Sequence, residues 1–322
     1  MATIAAAHCL DAKRFVRQYR EHLSDFPTWE ARTHAAEWLV FPENVGRHLS
    51  LDEVAISQGE LYTVLTNKAR HGRHGALVAI VKGTTTEVVS EALRRIPGAI
   101  RETVQTVIRD LDASMAQIAT ACFPNAQQIE DRFHVQQLVS EALQEIRVAL
   151  RKEAITEDNA QVKAARERGS HYQAPRYENG DTNKALLARS RYLLFKARST
   201  WTASQQERGA ILFREYPVLQ NAYNCSMMFR GIYEYCETKS HAHEKLQEWY
   251  TKLETSLEGL PSFETPMQTI KLHEATILNY FDGRRTNAAA ESFNAKIKNF
   301  RALQRGVREV PFFLYRLAKI YG

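Results

Sequence analysis

Three carboxylates stand in contexts that suit phosphodiester chemistry. Asp52 lies inside "RHLSLDEVAI" (47–56), Asp110 near the end of "ETVQTVIRDLD", and Glu291 inside "TNAAAESFNAKIKNF" (286–300). Three carboxylates brought together repel: at ~4 Å and an effective dielectric of about 20, each pair costs on the order of 4 kcal/mol. That cost makes sense only if cations fill the gap. Mg²⁺ takes one or two carboxylates together with waters and phosphate oxygens. The expected cofactor is therefore two divalent metal ions, Mg²⁺ or Mn²⁺. Such a pair, about 4 Å apart, activates a water or a 3′-hydroxyl and stabilises the leaving oxygen in an in-line attack.

The segment carrying Glu291 has helical spacing. At 100° per residue, Phe293, Ile297 and Phe300 fall on one side, and Asn287, Glu291, Asn294, Lys298 and Arg305 on the other. Glu291, Asn294 and Lys298 are three and four apart, so they share a face. Arg284 and Arg285 come just before. A carboxylate for metal, amides for phosphate or base edges, and cations for backbone charge make a coherent DNA-facing stripe. The same pattern also fits the solvated face of an ordinary amphipathic helix.

These residues need elements to bring them together. Residues 47–56 read as a strand, "SQGE" as a turn, 61–67 as a second strand and 76–83 as a third. The third is apolar throughout, as a central buried strand should be. A helix ending at Pro97-Gly98 follows, then a fourth strand stopping near Asp110. The helix "SMAQIATACFPNA", a short fifth strand (127–133) and a long helix complete the series. Three antiparallel strands followed by two strands on helical crossovers is the order of a ribonuclease-H-like fold, an α/β class with a mixed sheet. In that order the first and fourth strands are neighbours, so Asp52 and Asp110 can converge.

The domains expected are a helical lead-in (1–45), the first part of the catalytic core (46–154), a helical insertion (155–275) and closing helices (276–322). The long interval between Asp110 and Glu291 is what an insertion would produce. Asp131, Arg132 and His134 in "DRFHV" sit near the presumed active edge and can assist catalysis or position DNA. Glu53 should point to the opposite face from Asp52. Trp201 and Trp249 can stack an unpaired base or pack in a core.

The bulk composition agrees. The chain has 322 residues, 44% apolar content and a net charge of +6, which suits a polyanionic partner. No run of 18 apolar residues is present, and the N-terminus lacks the pattern of a secretory signal. The four cysteines form no C-x-x-C pair, which argues against a zinc ribbon or a disulfide framework. A cytoplasmic, nucleoid-associated protein with no membrane contact is expected.

"VIRDLDASMAQIATACFPNAQQIEDRFHVQQL", "ARSRYLL" and "TNAAAESFNAKIKNFRALQRGVREVPFFLYRL" resemble the bacterial insertion-sequence transposases of the DDE type, in the IS-L-three class. The upstream "LSLDEVAISQGELYTVLTN" matches that class's first acidic strand. The resemblance runs from about residue 25 to the end. It implies Asp52, Asp110 and Glu291 as catalytic acids and metal ligands. It also implies cleavage at element ends and transfer of the 3′-hydroxyl into target DNA. The class usually has a serine where this chain has Asp112, so Asp110 and Asp112 both remain candidates for the second ligand. Long members carry an N-terminal zinc-binding and helix-turn-helix region, whose cysteines are not among those of this sequence, so no such region is expected in it. End recognition would then come from the insertion, the lead-in or a separately encoded DNA-recognition subunit. Joining two ends implies a homodimer or higher multimer. The other readings are a structure-selective nuclease of the same fold and a non-catalytic DNA-binding derivative.

Overall fold

The computed structural model describes residues 2–57, 59–256, 261–284, 288–303, 307 and 309–322. The side chains of residues 2, 3, 6, 256, 261 and 288–291 lie outside that description. The chain divides into two compact units: Met1–Asp131 with Arg285–Gly322, and Arg132–Arg284. The expected junctions at 154/155 and 275/276 fall inside two helices, Arg132–Glu167 and Glu274–Leu278.

The first unit is built on a six-stranded sheet of order β1-β4-β3-β2-β5-β6. The strands are β1 (Trp38–Val40), β2 (His48–Ser57), β3 (Glu60–Asn67), β4 (Leu77–Lys82), β5 (Thr106–Arg109) and β6 (Gln127–Glu130). β2, β3 and β4 form an antiparallel meander, and β5 and β6 run parallel to β2. This is the ribonuclease-H-like order read from the sequence, with β1 added. β1 lies in the stretch expected to be helical, and it pairs antiparallel with β4 through Leu39↔Ile80. Three residues are too few to show a strand period. The added strand explains why β4, with both neighbours occupied, is apolar almost throughout.

Two short helices, α1 (Ala2–Ala7) and α2 (Ala12–Gln18), precede the sheet. The crossover from β4 to β5 carries α3 (Thr86–Leu93) and α4 (Gly98–Arg101), and that from β5 to β6 carries α5 (Ala113–Cys122). Val89, Leu93, Met115 and Ile118 of α3 and α5 pack with Leu49, Leu51, Leu65 and Val107 of the sheet. The opposite face buries Val54, Ile56, Val64 and Ile80 against the chain's last two helices, α13 (Ala288–Leu303) and α14 (Val310–Tyr321). Phe293 and Ile297 of α13 are buried there, each contributing on the order of 2 kcal/mol. Because side chains alternate along a strand, Asp52 shares its face with Val54 and therefore with α13.

The second unit is helical. It comprises α6 (Arg132–Glu167), α7 (Asn183–Arg189), α8 (Ala203–Glu215), α9 (Pro217–Tyr235), α10 (Lys239–Ser256), α11 (Pro261–Leu272) and α12 (Glu274–Leu278). The 36-residue α6 buries Val135, Val139, Ala142, Leu143 and Ile146, one stripe at helical spacing. Trp249 packs against Phe229 and Tyr250, and Trp201 against Phe213 and Tyr223. A Cβ at Gly209 would meet the Trp201 ring at 2.3 Å, so the ring can pack on α8 there only because residue 209 is glycine. Both tryptophans are core residues, 7% and 0% exposed for Trp201 and Trp249.

Asp181 is buried in this unit and accepts hydrogen bonds from Arg208 (2.8 Å), Asn179 (3.1 Å) and Arg189. Burial alone would raise its pKa. The hydrogen bonds and charges of Arg208 and Arg189 outweigh that and hold the carboxyl below its usual range. A depressed folded-state pKa contributes stability above the unfolded value, and that stability is lost as pH falls through the folded value. Stability of the helical unit should therefore drop on acidification, and Asp181→Asn should flatten that acid limb. Unfolding free energy measured against pH checks this. An acid limb unchanged in Asp181→Asn would contradict it.

Candidate metal centre

Strand register decides which acids meet. Ser50 of β2 pairs with Ile108 of β5, and Ile108 pairs with Ile129 of β6. Two residues beyond each stand Asp52, Asp110 and Asp131. In continued register, with a side-chain period of two, all three belong to one row on the α13 face. The backbone carries that register on: the Asp131 N–H donates to the Arg109 carbonyl at 2.7 Å. Asp110 and Asp131 each bring a carboxylate oxygen within 4.8 Å of the other. Asp131 is 2% exposed, and Asp52 and Asp110 are half-buried. His134 follows Asp131 by three residues, on the first turn of α6.

Asp52 is held from two sides. One carboxylate oxygen accepts the Glu53 N–H at 2.7 Å, and the other accepts Nδ2 of Asn294, also at 2.7 Å. Asn294 is buried, and its Nδ2 also lies 3.4 Å from the Glu53 carbonyl. α13 is pinned further by Lys296 Nζ to the Gly72 carbonyl (2.8 Å) and by Arg301 Nη1 to the Ala55 carbonyl (3.1 Å). Glu291 lies on α13 one turn before Asn294, which places its backbone on the Asp52 side of that helix. Its side chain lies outside the described residues, as do Arg285, Asn287 and Arg305. Lys298, one turn beyond Asn294, is exposed. Arg284, in the helical unit, donates to the carbonyls of Tyr233 (2.7 Å) and Cys236 (2.9 Å), closing the C-terminal end of α9.

Asp112 has a different task. It is the N-cap of α5 and accepts from the N–H groups of Ser114 (2.7 Å) and Met115 (3.2 Å) and from the Ser114 hydroxyl. The Ser114 hydroxyl and these backbone bonds hold its carboxyl below the usual range. Glu53 moves the other way. Burial first, then the negative charges of Asp112 and Asp52, push its carboxyl up. Arg109, the residue before Asp110, forms an ion pair with Glu130, the residue before Asp131, at 2.9 Å, with both side chains buried.

The donors that converge in the sheet unit are carboxylate oxygens. Such a set fits a hard divalent cation such as Mg²⁺ or Mn²⁺ better than a soft one. Sequence reasoning weighed Asp131 only as a helper, and it missed both the Asn294–Asp52 contact and the Arg109–Glu130 pair. The available signal was the repetition of a charged residue followed by Asp at the ends of two strands, "RD" and "ED".

Among the described residues no helix is long and apolar enough to cross a membrane. No curated protein matches the chain. A family model described as "Transposase", that of the DDE transposases of the IS-L-three class, matches residues 49–317. That match takes in the whole of β5, β6, α13 and the helical unit, and nearly all of β2, so the chain belongs to the IS-L-three class of DDE transposases.

Proposed function

We propose that this transposase cuts DNA at the ends of its element and joins the freed 3′-hydroxyl to target DNA, with Asp52, Asp110 and Glu291 as the acidic residues of the site. The observation that carries this reading is the shared register of Asp52 and Asp110 on the α13 face, with Asn294 fixing Asp52 one turn from Glu291. Asp110 and Asp131 would share one of two divalent cations. When bound, two such ions supply activation of the attacking hydroxyl and charge relief at the leaving oxygen. The protein's own contribution is orientation. Asn294 holds Asp52 in one rotamer, and the two short parallel strands hold Asp110 and Asp131 side by side. Asp112, committed to its helix cap, leaves Asp110 as the second ligand. Lys298, with Arg285, Asn287 and Arg305, would meet the DNA backbone, which fixes position without reading sequence. Action on paired ends favours a dimer or higher multimer, with a separately encoded recognition subunit as a further partner.

Calorimetric titration with Mn²⁺ tests the site without needing DNA. Wild type should bind, and Asp110→Asn should bind at least about tenfold more weakly, since a carboxylate ligand is lost. Equal binding in both, or none in wild type, would remove the basis of this reading.

A further inference from the structure

The ion pair between Arg109 and Glu130 lies at the end of an apolar stretch of the sheet. Leu49, Leu51 and Val107 share its face of the sheet, packed under α3 and α5. A buried ion pair is weak evidence for stability, because desolvating two charges offsets most of their attraction. Two apolar residues would hold that end of the sheet at least as well, so the contacts of the pair bear on a different task.

Arg109 makes three hydrogen bonds and one further ion-pair contact. Nη2 meets Glu130 Oε1 at 2.9 Å, and Nη1 meets Glu130 Oε2 at 3.0 Å. Nε donates to Gln128 Oε1 at 2.7 Å, and Nη1 donates to the carbonyl of Asp110 at 2.8 Å. Gln128 in turn donates to Thr120 of α5 at 2.8 Å. The guanidinium thus ties the end of β5 to the end of β6, grips the backbone of Asp110 itself, and is braced on a helix. β5 and β6 have only four residues each, and the ion pair adds a side-chain clamp at their ends to the register that their backbone pairing sets. A slip of one residue would send each side chain to the opposite face.

We infer that the Arg109–Glu130 ion pair is a positioning device, which sets Asp110 and Asp131 side by side on the opposite face of the sheet for divalent-cation binding. The inference rests on the metal-site reading given under Proposed function. Arg109 and Glu130 point away from that site and touch no reacting atom. They act through the residue that follows each of them.

Two variants test this by Mn²⁺ titration calorimetry, with the Mn²⁺ electron paramagnetic resonance spectrum as a second readout and thermal melting as the fold control. Glu130→Gln keeps the shape and removes the charge. Arg109→Lys keeps the charge and removes the fork, so it serves if the first variant does not fold. Outer partners of metal ligands are worth ~10–100-fold in affinity. Each folded variant should therefore bind Mn²⁺ at least about tenfold more weakly than wild type, with an altered spectrum. A merely structural pair would lower the melting temperature and leave Mn²⁺ affinity in the folded protein unchanged. Affinity within about twofold of a wild type that does bind would overturn the inference and leave the metal-site reading standing. A wild type that binds no Mn²⁺ would overturn both.

Discussion

Replacing Asp110 by asparagine should reduce strand transfer by on the order of a thousandfold while DNA binding persists. The size follows from what a metal ligand supplies: several kcal/mol of transition-state stabilisation, with about 4 kcal/mol equal to three decades of rate. Binding should persist because Asp110 adds negative charge and cannot itself attract phosphate. The paired control is Asp112→Asn. Asparagine caps helices about as well as aspartate, and Asp112 bonds Ser114 and Met115 at the start of α5. Asp112→Asn should therefore stay within a few-fold of wild type. Strand-transfer rates on labelled element ends, measured beside a binding isotherm, separate the two acids. A dead Asp112→Asn beside an active Asp110→Asn would reverse the assignment.

The second large effect concerns stability. Trp249 is fully buried, with its ring 4.7 Å from that of Phe229 and its Nε1 2.9 Å from the Cys225 carbonyl. Truncating a buried tryptophan to alanine typically costs about 3–5 kcal/mol, transfer and cavity together. Trp249→Ala should lower the denaturant midpoint of the helical unit accordingly, and Trp249→Phe should recover a large part of the loss. A midpoint shift worth less than about 1 kcal/mol would show that the surrounding aromatics collapse into the space.

Much of the catalytic core was legible in the chain because its signals are local. The strands of the meander alternate or run apolar, and Gly59 with φ +85° marks the turn between β2 and β3. The strand order, three antiparallel strands and then two on helical crossovers, was enough to place Asp52 and Asp110 on neighbouring strands. β1 escaped because it borrows its stability from β4, a contact that no local pattern records. The first residues of α6 were read as strand up to 133, whereas β6 stops at Glu130 and the helix begins at Arg132. The turn there consists of Asp131, and one residue leaves no composition signal.

Side-chain partners were harder to read than elements. On a helical wheel Asn294 falls on the polar side of α13, yet it is buried against Asp52, because it sits 100° from Phe293 at the flank of the buried stripe. The double arginine at 284 and 285 reads as part of the DNA-facing stripe, whereas Arg284 spends its donors on the carbonyls at the end of α9. The repeated "RD" and "ED" did not by themselves pair Arg109 with Glu130, because adjacent residues on a strand point to opposite faces. Only the register of β5 against β6 shows that two residues distant in sequence share a face.

The most direct measurement is Mg²⁺- or Mn²⁺-dependent strand transfer on labelled DNA carrying the element's own ends, comparing wild type with Glu291→Gln. The account predicts product from wild type, none detectable from Glu291→Gln, and similar DNA binding by both. Strand transfer by Glu291→Gln at the wild-type rate would contradict it.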